Sequence, residues 1–304
     1  MQETQRRLIM GRGSCARLDT VLEQLGATKF LLVKDASFGF LPFRARLSES
    51  RVPHAEFDGF TSNPLYEDVC RGVTLFRESG CDALVAVGGG SSIDVAKCIK
   101  LFARMSDAQG YLSQPFADNG IPLVAIPTTA GTGSEATRFA VIYERGEKQS
   151  INHESIIPDC AILDADALDT LPPFQRRCTL FDALCQGIES WWSVHSDAES
   201  VWHSRQAVEG IMAHMDAYLR GDASAAEAIL SASNEAGQAI NLTQTTAAHA
   251  MSYKLTSMYR LPHGYAVALC LPKVWRYMLA HPEQCVDARG ADALARRFSE
   301  IAAA

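Results

Sequence analysis

No CxxC pair occurs among the nine cysteines, at positions 15, 70, 81, 98, 160, 178, 185, 270 and 285, and their number is odd. A zinc knuckle or a fully paired disulfide frame is therefore not expected; the thiols read as reduced and mostly buried, as in a cytoplasmic protein. No apolar run reaches the roughly 18 residues of a membrane span, and the N-terminal MQETQRRLIMGRG has no signal-peptide core. Positive charge is also short. Lys and Arg total 28 against 35 for Asp and Glu, a net charge of −7, so nucleic acid and anionic membranes are not expected partners. Neither a GxGxxG fingerprint nor the Gly-Lys-Ser/Thr of a P-loop is present. What remains is an ordinary globular composition, 47% hydrophobic and 21% charged over 304 residues. At about 150 residues per domain this suggests two domains, with enough chain to bury a core without staples.

The first half alternates apolar runs of the buried parallel-sheet type, Phe30–Val33, Leu84–Val87, Leu123–Ile126 and Ala161–Leu163, with helical spacing over Leu65–Ser79 and Ser92–Met105. Such alternation implies right-handed crossovers and a parallel sheet. After Asp164 the character changes. Leu171-Pro172-Pro173 reads as a breaker, and segments near 180–194, 198–219, 223–240, 242–258 and 265–280 read as helices. The expected organisation is an α/β dinucleotide-binding domain over 1–168 and an all-α domain over 169–304, the latter carrying the metal and substrate sites. The chain stops at RRFSEIAAA, still in an amphipathic helical pattern.

Val85–Asp94 (VAVGGGSSID) runs from a buried strand straight into a helix start. Three glycines permit close backbone approach, Ser91 or Ser92 is a natural N-cap, and the helix N-terminus favours a pyrophosphate. The rival reading is a tight turn with no ligand. A second loop, IPTTAGTGSEAT (126–137), also leaves a buried strand and is dense in hydroxyls; ligand sites of open α/β sheets form at such carboxyl ends. The candidate cofactor residues are Gly89, Gly90, Ser91 and Asp94 in the first loop and Thr128, Thr129, Thr132 and Ser134 in the second. Asp35, just past the strand FLLV, can accept both hydroxyls of an adenosine ribose and would repel a 2′-phosphate, so NADH is expected over NADPH.

In the helical half, Asp182 and Gln186 lie four apart on one helix face, and His249 and His263 follow at a distance. One carboxylate and two imidazoles suit a borderline divalent ion, among Fe²⁺, Mn²⁺, Co²⁺, Ni²⁺ and Zn²⁺. Spacing alone does not bring these segments together, and a lone histidine is more often structural.

Taken in order, Asn63-Pro64, GGGSSIDVAK (88–97), PTTAGTGSEAT (127–137), PDCAILDADAL (158–168), DALxQxIE and LPHG resemble the iron-containing (group III) alcohol dehydrogenase family over essentially the whole chain. The resemblance implies the dehydroquinate synthase-like fold of that family, an N-terminal dinucleotide-binding domain and a helical domain with the active site in the cleft between. It also implies NAD(P)H and one divalent metal, most often Fe²⁺ or Zn²⁺. It adds Asn63 and Lys148 to the cofactor-binding set. The family's first ligand segment reads Asp-x-x-x-His where this chain has Asp182 and Gln186; its later ligand histidines match His249 and His263. The amide at 186 leaves three readings open: a weak ligand, one acting through water, or none. Where the family often carries a pocket histidine, this chain has Tyr253, a candidate proton donor.

The segments TGSEATRFA, DALCQGIESWWS and INLTQTTAAHAMSYKLT further resemble a narrower branch, the phosphonoacetaldehyde reductases of phosphonate biosynthesis. Arg138 and Lys254 stand where the wider family is commonly uncharged, and a phosphonate dianion needs such donors; the bland alternative is two solvated cations. The expected activity is NADH-dependent, metal-assisted reduction of phosphonoacetaldehyde to 2-hydroxyethylphosphonate. A general alcohol dehydrogenase, a reductase of phosphonopyruvate and a catalytically silent dinucleotide-binding protein are the rivals. The expected partner is a small molecule, with a homo-oligomer left open. Family members usually continue through several helices after the region matching Leu261–Arg276, so this chain is expected to be shorter than its fold, with an exposed apolar helical face near its C-terminus.

Overall fold

Buried β-branched runs and amphipathic segments sort the chain into two compact units in a computed structural model that describes residues 7–304. One unit holds the residues up to Thr129 together with Ser134–Thr170, and the other holds Ala130–Gly133 and Leu171–Ala304.

In the first unit the strands are β1 (Arg7–Met10), β2 (Phe30–Lys34), β3 (His54–Phe57), β4 (Ala83–Gly88), β5 (Leu123–Pro127), β6 (Phe139–Glu144), β7 (Glu147–Asn152) and β8 (Cys160–Leu163), and the helices are α1 (Leu18–Gln24), α2 (Arg44–Ser48), α3 (Tyr66–Glu78) and α4 (Gly90–Phe102). Six strands form a parallel sheet in the order β1-β8-β5-β4-β2-β3. Apart from Lys34 at the end of β2, the central strands carry no charged or polar side chain, because both faces are covered. On one face Leu31, Val33, Leu84 and Ala86 meet Val69, Val73, Ile93 and Ile99 of α3 and α4. On the other, Phe30, Leu32, Val85 and Ile126 meet Leu18, Val21 and Leu22 of α1 and Leu47 of α2. From β2 the chain goes outward to β3, then crosses back to β4 on the other side of β2. Strand order therefore reverses between β2 and β4, the place where open α/β sheets bind ligands beyond their carboxyl ends.

The four strands expected from sequence form within one residue of their expected bounds. The edge strands β1 and β3 and the antiparallel hairpin β6–β7 were not foreseen, because partly exposed positions interrupt their apolar pattern.

The second unit consists of α5 (Pro173–Trp192), α6 (Ala198–Leu219), α7 (Ala226–Thr243), α8 (Ala247–Tyr259), α9 (His263–Ala280) and α10 (Ala291–Ala303). The chain breaks at Leu171-Pro172 as expected, and the same prolines start the next helix: Pro173 opens α5 and Pro172 is its N-cap, where the missing N–H costs nothing. A left-handed Gln244 (φ +69°) ends α7, and the chain restarts as α8 after Thr246. Trp192 packs edge-on to Trp275 (5.3 Å between ring centroids) and Phe298 (5.8 Å), fixing α5, α9 and α10 in one core. Met251, Met258 and Tyr259 of α8, and Leu269, Tyr277 and Leu279 of α9, are exposed. All nine cysteines are free and seven are buried. Among the described residues, no helix is long and apolar enough to cross a membrane.

Candidate functional site

At the carboxyl ends of β2 and β4 the backbone is drawn tight around one carboxylate. Asp35 Oδ1 accepts from Ser37 N (2.8 Å), and Oδ2 accepts from Ser92 Oγ (2.8 Å). A Cβ on Gly88, where φ is +154°, would lie 2.1 Å from Ser92 Oγ and 2.6 Å from Asp35 Oδ2, so only glycine allows this turn. The N-cap of α4 is Gly89, with no side-chain cap. This corrects the expectation of a serine cap: the Ser92 hydroxyl is given to Asp35. The N–H groups of Gly90 and Ser91 are thus left without a side-chain cap at a 13-residue helix's N-terminus, which is what an anion site requires.

The second loop is held against α4 from beneath. Thr128 N donates to Gly88 O (3.0 Å), joining the ends of β4 and β5. Asp94 Oδ1 accepts from Ser134 Oγ (2.7 Å) and Oδ2 accepts from Val141 N (3.0 Å). Lys97, fully buried, donates to Ser134 Oγ (3.1 Å), Thr137 O (2.7 Å), Thr137 Oγ1 (3.1 Å) and Phe139 O (2.7 Å). Burial pulls the Lys97 ammonium down to about 8, against the opposing charges of Asp94 and Glu135. Burial likewise pushes the Asp94 carboxyl up, opposed by Lys97, Ser134, Val141 and Lys148. The polar atoms of Asp94 and Ser134 are therefore engaged within the protein, and these two side chains act as a brace for the loop. Asn63 adopts a left-handed backbone (φ +59°), which asparagine tolerates, and sends Pro64 O to accept from Tyr143 N (2.9 Å) of β6. Lys97 was not among the sequence candidates, since a lysine ordinarily reads as surface; its position within the apolar register of α4 is the signal that could have found it.

In the helical unit, the four dispersed ligand candidates come together. Asp182 Oδ1 of α5 lies 3.3 Å from His249 Nε2 of α8 and 3.8 Å from His263 Nε2 at the first residue of α9. One ligand atom from each lies within 4.8 Å of the others. Asp182, Gln186 and His249 are buried and His263 is partly exposed. One turn along α5, Gln186 Nε2 donates to Thr132 O (3.3 Å), while its Oε1 is buried with no hydrogen-bond partner. Two imidazoles and a carboxylate, with an orphaned buried carbonyl oxygen one turn along α5 from the carboxylate, are a donor set that fits a divalent ion. The charges tell the same story. Burial pushes the Asp182 carboxyl up, but His263 and His249 outweigh it and hold the group below its usual range. Burial pulls His249 down, but Asp182 and Glu189 outweigh it and raise the imidazole to about 9. Tyr253 stacks parallel to His263, with ring centroids 6.0 Å apart, and His263 packs edge-on to His249 at 5.4 Å.

Two further residues build this cluster and were not foreseen as functional. Glu189, fully buried on the same face of α5, accepts from His249 Nδ1; burial pushes its carboxyl up, but His249 and the start of α8 outweigh it and hold it low. The signal was present as a charged residue three positions past Gln186 inside an apolar face. Gly264 lets α9 touch α5: a Cβ there would fall 2.0 Å from Cys178 O and 2.8 Å from Asp182 Cβ. Of the two expected phosphonate donors, Arg138 belongs to the first unit, pairs with Glu154 (2.7 Å) and lies over the Phe139 ring. Lys254 is exposed on α8 of the second.

Residues 5–165 match the family model described as iron-containing alcohol dehydrogenase, and residues 178–304 match the Fe-containing alcohol dehydrogenase family, C-terminal. The chain belongs to the iron-containing alcohol dehydrogenase family. It is 35% identical over 285 residues to an NAD-dependent methanol dehydrogenase of Bacillus methanolicus, covering 89% of this chain and 74% of that protein. It is 33% identical over 295 residues to a phosphonoacetaldehyde reductase of Streptomyces viridochromogenes, covering 91% and 74%. The crystal structure of sulfoacetaldehyde reductase from Bifidobacterium kashiwanohense in complex with NAD+ superposes with a TM-score of 0.84, at 27% identity, covering 97% of this chain and 84% of that one. As an iron-containing alcohol dehydrogenase, this chain is an enzyme of the NAD(P)-dependent alcohol dehydrogenase and aldehyde reductase class, with a nicotinamide cofactor and a divalent metal. The expected fold class, a parallel α/β N-terminal domain followed by a helical C-terminal one, is the fold found.

Proposed function

We propose that this dehydrogenase reduces phosphonoacetaldehyde to 2-hydroxyethylphosphonate with NADH. The observation that carries the carbonyl chemistry is the Asp182–His249–His263 cluster with the unpartnered oxygen of Gln186 beside it. When bound, NADH supplies the hydride and the divalent ion supplies Lewis-acid stabilisation of charge developing on the carbonyl oxygen. Asp182, His249 and His263 would hold the ion, with Gln186 Oε1 as a fourth, harder donor. The uncapped start of α4 at Gly89, Gly90 and Ser91 would take the pyrophosphate, and Asp35, fixed between β2 and β4, the ribose. Thr128, Thr129 and Thr132 would line the same loop region, kept in place by Asp94, Lys97 and Ser134; Asn63 and Lys148 complete the proposed cofactor set. Tyr253, stacked on His263, is assigned the proton for the product oxygen.

Two relatives support the acidic aldehyde: one is named for a phosphonate-bearing and one for a sulfonate-bearing acetaldehyde. Arg138 and Lys254 are each assigned as a donor to the phosphonate. The Arg138 ion pair with Glu154 is solvent-screened, since the carboxylate is 62% exposed, so an incoming dianion can compete for the guanidinium. Arg138→Ala is expected to raise KM for phosphonoacetaldehyde by about 10- to 100-fold, the loss of one charge-assisted contact, and to leave KM for acetaldehyde within about 2-fold. Steady-state NADH oxidation with both aldehydes checks this, and equal effects on the two would remove Arg138 from the role. The methanol dehydrogenase relative favours the rival reading of a general alcohol dehydrogenase. Under that reading the wild-type enzyme would use acetaldehyde or a longer simple aldehyde at least as well as phosphonoacetaldehyde. Sulfoacetaldehyde and phosphonopyruvate in the same assay separate the acidic substrates from one another.

A further inference from the structure

The carboxylate of Glu189 uses its two oxygens for different tasks. Oε1 accepts from Thr246 N (3.2 Å), Thr246 Oγ1 (2.5 Å) and Ala248 N (2.9 Å), the opening turn of α8, which has no side-chain cap of its own. Oε2 accepts from His249 Nδ1. The opposite ring nitrogen, Nε2, lies 3.3 Å from Asp182 Oδ1. The imidazole is thus strung between two carboxylates of one helix, and both it and Glu189 are shut away from water.

We infer that Glu189 is a positioning residue that fixes the tautomer and orientation of His249, so that Nε2 presents its lone pair to the ion held with Asp182 and His263. An ionised carboxylate can only accept, so the ring nitrogen facing it must carry the hydrogen. With an ion seated between Nε2 and Asp182, Glu189 is the one carboxylate the ring still faces directly, which leaves Nε2 as the nitrogen free to ligate. A helix cap alone would need one oxygen; the second is spent on the ring. Because Oε1 also grips the first turn of α8, the same side chain sets where His249 begins and which way its ring faces. The inference rests on the metal-site reading above, and its test separates the two.

The probe is Zn²⁺, titrated into the metal-stripped full chain with a competing chromophoric chelator, alongside thermal unfolding of the metal-free protein. Wild type is expected to take up one equivalent. In Glu189→Gln the amide oxygen can still accept from Thr246 and Ala248. Its NH₂ then faces Nδ1, demands a lone pair there, and leaves the hydrogen on Nε2. Zinc affinity is expected to fall by about 10- to 100-fold, with the melting temperature of the metal-free variant within a few degrees of wild type. Thr246→Val, which removes one donor to Oε1 and leaves the ring contact, should lower the melting temperature and keep the zinc affinity. Unchanged affinity in Glu189→Gln would make Glu189 a helix cap and nothing more. A wild type that fails to bind zinc at one equivalent would overturn the metal reading itself. A readout that needs no variant is long-range ¹H–¹⁵N correlation of the histidine rings in the zinc-loaded wild type. His249 should carry its hydrogen on Nδ1, and a hydrogen on Nε2 would refute the inference outright.

Discussion

Gly264→Ala is expected to cost this enzyme its metal site. The added methyl would meet the carbonyl of Cys178 at 2.0 Å and the Asp182 side chain at 2.8 Å. The first of these is backbone inside a 20-residue helix and has no rotamer by which to yield. The start of α9 must therefore lift away from α5, carrying His263 with it. His263 Nε2 sits only 3.8 Å from Asp182 Oδ1, so a shift of about 1 Å is enough to spoil a shared ligand position, and misplacement of that size costs about 100-fold in turnover. Overpacking of a well-filled contact adds about 1–3 kcal/mol of destabilisation. Chelator competition and thermal unfolding measure the two effects separately. A variant with wild-type metal affinity would show that α9 moves without disturbing the cluster. The LPHG segment was read from sequence for its histidine; the structure gives the glycine an equal share in making the site.

Lys97→Met should strike the other unit comparably hard. Methionine keeps the unbranched apolar stem and leaves the carbonyls of Thr137 and Phe139 and the hydroxyls of Ser134 and Thr137 without their buried donor. Each stranded polar group costs about 1–3 kcal/mol, so a loss of about 3 kcal/mol or more is expected in denaturant unfolding. The same change frees the loop from α4, and dinucleotide affinity should fall by at least about 10-fold while metal affinity stays at the wild-type value. A variant as stable as wild type would mean that the loop is held by Asp94 and its partners Ser134 and Val141 alone.

How much of this was legible in the sequence depended on whether a signal was local. The four central strands were readable because a strand covered on both faces is apolar throughout, as in FLLV and LVAV. The glycine turn and the hydroxyl-rich loop stood out because their composition suits no other element. Asp182, His249 and His263 could be named as ligand types, but only the fold shows their ligand atoms within 4.8 Å of one another. Ser92 was misread because a serine before a helix suits a cap in isolation; the carboxylate that captures its hydroxyl lies 57 residues earlier. Glu189 and Lys97 escaped notice for the complementary reason. Charged residues are assigned to the surface unless their partners are known, and those partners sit on other elements. For Gln186 the sequence offers three readings, and the fold adds that its Oε1 is buried without a hydrogen-bond partner.

His249 and Asp182 are separated by 67 positions in the chain, and His263 lies farther still. An unfolded chain pays a loop-closure entropy to bring such distant groups together, so no preformed site exists before α5, α8 and α9 have docked. An ion held by these three residues would bind the docked helices in preference to the unfolded chain. Its binding would then add about 2.7 kcal/mol of stability when free metal stands at about 100 times its dissociation constant. Asp182, His249 and His263 all belong to the helical unit. Metal supply would thereby become a setting for how durable the folded enzyme is, over and above whether it turns over.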